Sequence, residues 1–130
     1  MDPRPVLLRQ VAQRAADLDR AVAFYTDVLG LELLARFDPP GLAFFDLGGT
    51  RLLLEGGAPS AILYLATDDI EASVAALERK GIEIVERPQV IHRDDAGDFG
   101  PVGYEELMAF FADSEGNTLA YSERRPAAAG

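Results

Sequence analysis

The chain has 130 residues, a formal net charge of -10 and no cysteine, and 48% of its residues are hydrophobic. This length suits one domain with a hydrophobic core, and the apolar runs are too short to cross a bilayer. The acidic charge argues against nucleic acid or an anionic membrane as a partner, and the lack of cysteine excludes disulfides and thiolate metal sites. The start of the chain lacks a signal-peptide core, so we expect a cytoplasmic protein.

The first half of the chain predicts a strand, a helix and three further strands. Leu7 to Ala15 alternates as a strand. Asp17 is a good N-cap, apolar residues at helical spacing extend the helix to Leu29, and Gly30 ends it. Three strands separated by turn sequences follow, over residues 31–37, 42–47 and 50–55.

The second half repeats this order after a linker at residues 56–60. A helix is predicted from Asp69 to Lys80, and the strands are predicted at residues 62–67, 82–92, 107–112 and 118–122. Residues 93–106 are rich in glycine, proline and carboxylates, so we predict a loop there, which could serve as a lid. Glu105 and Glu106 would lie at its solvated edge.

The repeat predicts an α+β fold in which two βαβββ units form a cupped mixed sheet, with a helix on the outer face of each unit. We expect a single domain over residues 1–130. Its parts are a first unit at about 7–56, the linker, a second unit at about 61–124 and a tail at 125–130. In the pairs Phe44-Phe45 and Phe110-Phe111, one ring should face the helix and the other the cleft.

Two motifs carry a resemblance to a known superfamily. Asp17-Leu18 is followed by Ala23-Phe24-Tyr25 and then by Val28-Leu29-Gly30-Leu31. The turn at residues 113–117 has the sequence DSEGN, with Ser114 where the related motif has proline. Both resemble motifs of the vicinal oxygen chelate superfamily, which includes glyoxalase I, bleomycin-resistance proteins, epimerases and extradiol dioxygenases. The resemblance covers about residues 7–124 and implies this fold and a homodimer.

The resemblance also implies a divalent metal bound by His, Glu or Gln side chains from four strands, which acts as a Lewis acid on vicinal substrate oxygens. The matching positions of this chain hold Gln10, Leu53, Ile62 and Ala120. Of these, Gln10 alone carries a ligand atom, and Glu55, two residues after Leu53, is the remaining plausible ligand. One amide and one carboxylate are a poor ligand set, so we expect no metal and no cofactor.

Four residues of the inner face are candidates for ligand binding. Gln10 could orient a ligand through its amide, or could satisfy a neighbouring backbone group instead. Arg14 and Arg51 could bind a carboxylate or phosphate, although surface arginines are common. Tyr64 could stack on a planar ligand or form a hydrogen bond with it.

Two residues are candidates for catalysis. Glu55 would suit a general base if it is buried in the cleft, and would otherwise be a solvated carboxylate at a strand end. His92 is the single histidine and could act as a base or bind an anion, or could be an exposed residue at the loop edge.

These residues favour a metal-free protein that binds or sequesters a hydrophobic or aromatic small molecule, as bleomycin-resistance proteins do. The alternative is a glyoxalase-, epimerase- or lyase-like enzyme that acts on a small oxygenated or acyl substrate. A domain retained only for dimer formation or regulation is a third hypothesis, which no residue specifically favours.

Overall fold

The structure, a computed structural model, describes residues 2–5 and 7–128. In this part of the chain, eight strands and two α-helices follow the order βαβββ twice. The predicted α+β fold of two βαβββ units is therefore confirmed. Two compact units result. One comprises the chain up to Ala61 with the turn Asp113–Asn117, and the other comprises Ile62–Ala112 with the chain from Thr118 onward.

The first unit is a four-stranded mixed sheet with one helix. Its strands are β1 (Gln10–Arg14), β2 (Leu33–Phe37), β3 (Leu42–Leu47) and β4 (Thr50–Glu55). They lie in the order β1-β4-β3-β2, in which β1 and β4 are parallel and the other neighbours are antiparallel. The bounds of β3 and β4 agree with the prediction, whereas β1 and β2 are shorter than predicted.

The helix of the first unit, α1, spans Leu18–Ala23. The Asp17 side chain accepts a hydrogen bond from the Arg20 backbone N–H at 3.1 Å, which confirms the predicted N-cap. The chain then continues as one π-helical turn, Phe24–Val28, and reverses at Gly30, whose φ is 72°. The helical segment extends to Leu29, as predicted, but the prediction of an uninterrupted α-helix is wrong.

The second unit repeats the arrangement. Its elements are β5 (Leu63–Ala66), α2 (Ile70–Arg79), β6 (Ile84–Asp94), β7 (Tyr104–Ala112) and β8 (Thr118–Pro126). The sheet order is β5-β8-β7-β6, and β5 and β8 are parallel. Asp69 caps α2 by accepting from the Ala72 backbone N–H at 3.0 Å.

The long loop is shorter than the sequence predicts. Strand β6 continues to Asp94 and β7 begins at Tyr104, so the connection comprises residues 95–103. Glu105 and Glu106 pair with β6 and β8, and the prediction that they form a solvated loop edge is wrong. Strand β8 runs to Pro126, into the segment predicted to be the tail, of which residues 129 and 130 lie outside the described residues.

Each sheet packs its helix against one face and leaves the other face open within its unit. Phe45 and Phe111 are buried, Phe45 against Tyr25 and Phe111 against Tyr121. Phe44 and Phe110 lie on the opposite faces because side chains alternate along a strand. The prediction that the two rings of each pair lie on opposite faces of the sheet is confirmed. Among the described residues, no helix is long and apolar enough to span a bilayer.

Candidate functional site

The open face of the first sheet carries four of the predicted site residues. Gln10 lies opposite Arg51, and Arg14 lies opposite Glu55, in the register of β1 and β4. Residues directly opposite each other in neighbouring strands project from the same face of a sheet. Strand alternation therefore brings two polar pairs to this face, separated by Ala12 and Leu53.

A depression of about 360 Å³ lies on this face. It is lined by Gln10, Leu34, Ala35, Phe37, Phe44 and Arg51. Phe37 and Phe44 pack edge to face, with ring centroids 6.0 Å apart. Leu34 and Phe37 are 48% and 53% exposed, so the wall of the depression is apolar surface in contact with solvent.

Strand β2 supplies the apolar wall that the sequence did not reveal. The alternation of the predicted strand 31–37 is interrupted by a register shift between Leu33 and Ala35. Beyond that shift, Ala35 lies opposite Phe44, and Phe37 lies opposite Leu42. The apolar character of Leu34 and Phe37 was visible in the sequence, but their location beside Gln10 and Arg51 depends on strand order.

The polar end of the depression is a single hydrogen-bonded pair. Arg51 Nε donates to Gln10 Oε1 at 3.0 Å. The guanidinium group can only donate, so Gln10 must present its carbonyl oxygen to Arg51. This contact fixes the orientation of the amide and turns its NH₂ group away from Arg51.

The second polar pair, Arg14 and Glu55, lies at the other end of the same strands. Glu55 is half-buried and Arg14 is exposed. Within the described chain, no hydrogen bond or ion pair joins these two side chains. Glu55 therefore remains a carboxylate on the open face, available to a ligand or to water.

Tyr64 and His92 belong to the second unit, on β5 and β6, which are the two edge strands of its sheet. The fold therefore does not bring them together. Tyr64 is 55% exposed and packs edge to face with Phe110 at 6.3 Å. His92 is exposed, lies opposite Glu106 and packs edge to face with Phe99 at 5.7 Å.

A buried carboxylate that the sequence did not reveal organises the loop of residues 95–103. Asp94 accepts hydrogen bonds from the backbone N–H groups of Asp98 and Phe99, at 2.8 and 2.9 Å, and from Arg124 Nη2 at 3.2 Å. These donors, with that of Phe99 foremost, lower the pKa of Asp94 to about 2. The Arg124 guanidinium also lies over the ring of Phe99, which is 70% exposed.

The turn Asp113–Asn117 belongs to the first unit and contacts α1. The Arg20 side chain donates to Glu115 Oε2 at 2.7 Å, and the Asp17 backbone N–H donates to Glu115 Oε1 at 2.7 Å. Arg20 is the main cause that lowers the pKa of Glu115 to about 2. The resemblance identified this turn, but its contact with α1 requires the structure.

A buried tyrosine also binds the turn. Tyr25 Oη donates to Asp113 Oδ2 at 2.6 Å, and desolvation is the main cause that raises the pKa of Tyr25. Asn117 also donates to Asp113 and to the backbone carbonyl of Arg14. The turn is therefore attached to both α1 and the end of β1.

The acidic side chains of Asp69, Glu71 and Glu123 lie close together in the second unit. Each already has a partner. Asp69 caps α2, Glu123 accepts from the Ile70 backbone N–H at 2.7 Å, and Glu71 pairs with Arg125. The cluster is explained by capping and ion pairing at the start of α2.

The residues at the expected metal-ligand positions do not fit a tightly bound divalent ion. Leu53, Ile62 and Ala120 have no donor atoms in their side chains. Gln10 has one suitable atom, Oε1, and that atom accepts from the cationic Arg51. A metal at Gln10 would share this oxygen with the Arg51 N–H and lie beside a positive charge.

Comparisons with known proteins agree with the fold. A sequence model described as the Glyoxalase/Bleomycin resistance protein/Dioxygenase superfamily matches residues 7–121. The crystal structure of a lactoylglutathione lyase from Agrobacterium tumefaciens is 26% identical, with a TM-score of 0.71 over 93% of this chain and 96% of that one. The structure of TnmS3, an antibiotic binding protein from Streptomyces sp. CB03234, is 23% identical, with a TM-score of 0.72 over 95% of this chain and all of that one.

A curated relative differs in length. The probable chloroplastic lactoylglutathione lyase of Arabidopsis thaliana is 28% identical over 89% of this chain. The match covers 35% of that relative, so the chain spans about a third of its length.

Proposed function

Because the chain belongs to the Glyoxalase/Bleomycin resistance protein/Dioxygenase superfamily, we propose that it binds a hydrophobic or aromatic small molecule without a metal. The observation that carries this proposal is the depression on the first sheet, where Phe37 and Phe44 form an apolar wall beside Gln10. The absence of ligand atoms at Leu53, Ile62 and Ala120 supports binding without a metal.

The apolar wall supplies a driving force for binding. Burial of apolar surface contributes roughly 25 cal/mol per Å², before the costs of association. Exposed aromatic side chains that line a concave surface commonly mark a ligand site. TnmS3 has a similar fold and is described as an antibiotic binding protein, which makes sequestration of a drug-like molecule a natural form of this function.

A fluorescent apolar probe tests the proposal directly. N-phenyl-naphthylamine is uncharged, and its emission rises in an apolar site. We expect saturable binding by the protein, and we expect Phe44→Ala to weaken it by about tenfold through lost apolar contact. Leu7→Ala is the control, because Leu7 is 82% exposed and lies outside the depression. Equal effects of the two variants, or no saturable binding, would reject the proposal.

The alternative is a lyase-like enzyme. Two similar proteins are named lactoylglutathione lyases, and the half-buried Glu55 lies on the same face as Gln10. An assay for lactoylglutathione lyase activity, with and without added divalent metal, separates the two functions. Turnover that is lost in Glu55→Gln would favour the enzyme, whereas probe binding without turnover favours the binding protein.

A further inference from the structure

We propose that the ligand of the first sheet carries an acidic group, a carboxylate or sulfonate, joined to an apolar or aromatic body. This inference rests on the proposed function and specifies the class of molecule that the depression binds. It follows from the hydrogen-bonding capacity of the Gln10–Arg51 pair and from the charge of Arg51.

The pair presents more donors than acceptors to the depression. Gln10 Oε1, its only side-chain acceptor, already accepts from Arg51 Nε at 3.0 Å, which uses one of its two lone pairs. The donors that remain are the terminal NH₂ groups of Arg51 and the NH₂ of Gln10. A deprotonated acid has only acceptors, so it can pair with several of these donors at once, and its charge matches that of the guanidinium.

Arg51 is also a cation that forms no ion pair in the part of the chain that the structure describes, although Asp46 lies opposite it in the sheet. Most other arginines in the described chain are in ion pairs, namely Arg20, Arg36, Arg87, Arg93, Arg124 and Arg125. Across residues 2–5 and 7–128, no carboxylate forms an ion pair with Arg51. Its cross-strand neighbour Asp46 accepts from the Gly49 backbone N–H instead. The charge is therefore available to a ligand.

The apolar and cationic parts adjoin each other in one depression. Phe37, Phe44 and Leu34 line it together with Gln10 and Arg51. A molecule whose aromatic body lies against the phenylalanines would bring an attached acid to the guanidinium. The depression therefore offers an apolar surface and a cation to one molecule.

A matched pair of probes tests the inference. Anilinonaphthalene sulfonate and N-phenyl-naphthylamine share their aromatic body and differ in the sulfonate. We expect the wild-type protein to bind the sulfonate probe more tightly. Arg51→Gln should weaken that probe by about tenfold more than it weakens the neutral probe, because only the sulfonate loses a charged hydrogen bond. Arg51→Lys keeps the charge and should retain an intermediate affinity.

Arg79→Gln is the control. It makes the same change of charge at the last residue of α2, in the second unit. It should alter neither affinity. If Arg51→Gln leaves the sulfonate probe unaffected, or weakens both probes equally, the acidic group is not recognised by Arg51 and the inference is overturned. If the wild-type protein binds neither probe, the proposed function itself fails.

Discussion

Gln10 determines how the open face of the first sheet can interact with a ligand. Its carbonyl oxygen is the one plausible metal ligand among the expected positions, and it accepts from Arg51 Nε. The same contact directs the amide NH₂ group away from Arg51. The hydrogen bond from Arg51 therefore disfavours a metal at Gln10 Oε1 and leaves the Gln10 NH₂ group available as a donor to an organic ligand.

Truncation of Gln10 tests its role in orientation. Gln10→Ala should weaken binding of anilinonaphthalene sulfonate by about 1 kcal/mol, the net contribution of a typical hydrogen bond. The midpoint of urea unfolding should not change, because Gln10 is only half-buried. Fluorescence titration measures the first quantity. Full retention of affinity would remove Gln10 from the site.

Tyr25 is a structural residue of the first unit, and its hydroxyl is the feature to test. Tyr25→Phe removes the 2.6 Å hydrogen bond to the buried Asp113 carboxylate. We expect the free energy of unfolding to fall by about 1 to 2 kcal/mol in urea titrations, because a buried acceptor loses a donor. Tyr104→Phe is the matched control, expected within about 0.5 kcal/mol of the wild type. Similar losses in the two variants would contradict this role.

At the scale of elements, short-range sequence patterns predicted the helix starts and two of the strands, which depend on neighbouring residues. Asp17 and Asp69 marked both helix starts, and β3 and β4 form between the predicted residues. The π-helical turn after Ala23 holds the buried residues Phe24 and Tyr25, and the spacing of apolar residues in the sequence does not distinguish such a turn from an α-helix.

The loop predicted at residues 93–106 is confirmed at residues 95–103, whereas both of its ends are strand. Carboxylates near strand ends do not have to be exposed. Asp94 is 1% exposed, since two backbone N–H groups and Arg124 solvate its carboxylate. Arg124 lies on another strand, so its contact with Asp94 could not be predicted from the sequence.

The candidate site could likewise be predicted only in part. Strand alternation placed Gln10 and Arg51 on one face, but the wall from β2 depended on a register shift.

The loop of residues 95–103 should depend on Asp94. Asp94→Asn replaces the charged acceptor with a neutral amide and weakens the bonds from the Asp98 and Phe99 backbone N–H groups. We expect faster hydrogen exchange within the loop and unchanged protection in α2, because the helix does not contact this carboxylate. Asp95→Asn is the control, as Asp95 is exposed. Unchanged exchange in the loop of Asp94→Asn would show that the loop is held by other contacts.

The turn at residues 113–117 predicts a dependence of stability on pH. The pKa of Glu115 is lowered from 4.5 to about 2 in the folded protein. The unfolded state therefore binds more protons between these values. The stabilisation by Glu115 is complete above about pH 4.5 and is lost as the pH falls towards 2.

Glu115→Gln removes this linkage. The variant should be less stable than the wild type at pH 7, and its free energy of unfolding should fall less steeply below pH 4.5. Asp94 contributes to the loss of stability at low pH in both proteins. Urea unfolding at several pH values measures both effects. Glu83→Gln, at an exposed carboxylate, should follow the wild type. Parallel pH profiles for Glu115→Gln and the wild type would contradict the ion pair with Arg20.

At the scale of the whole molecule, we predict a homodimer of 14.0 kDa chains. Strand β6 is an edge strand of the second sheet and carries the exposed apolar residues Val85, Val90 and Ile91. Exposed apolar side chains on an edge strand are favourable surface for another chain to cover, although Pro88 and the charged residues of β6 limit direct strand pairing. Sedimentation at tens of micromolar should give the mass of two chains, and a single monomeric species would be inconsistent with this prediction.

We propose that the chain binds an apolar small molecule without a metal. Titration of the protein with N-phenyl-naphthylamine after dialysis against EDTA, and again after addition of Zn²⁺, tests it most directly. We expect the same saturable binding in both states, because Gln10 engages Arg51 and the other expected positions have no ligand atoms. Binding that appears only with Zn²⁺, at one ion per chain and lost in Gln10→Ala, would contradict the claim.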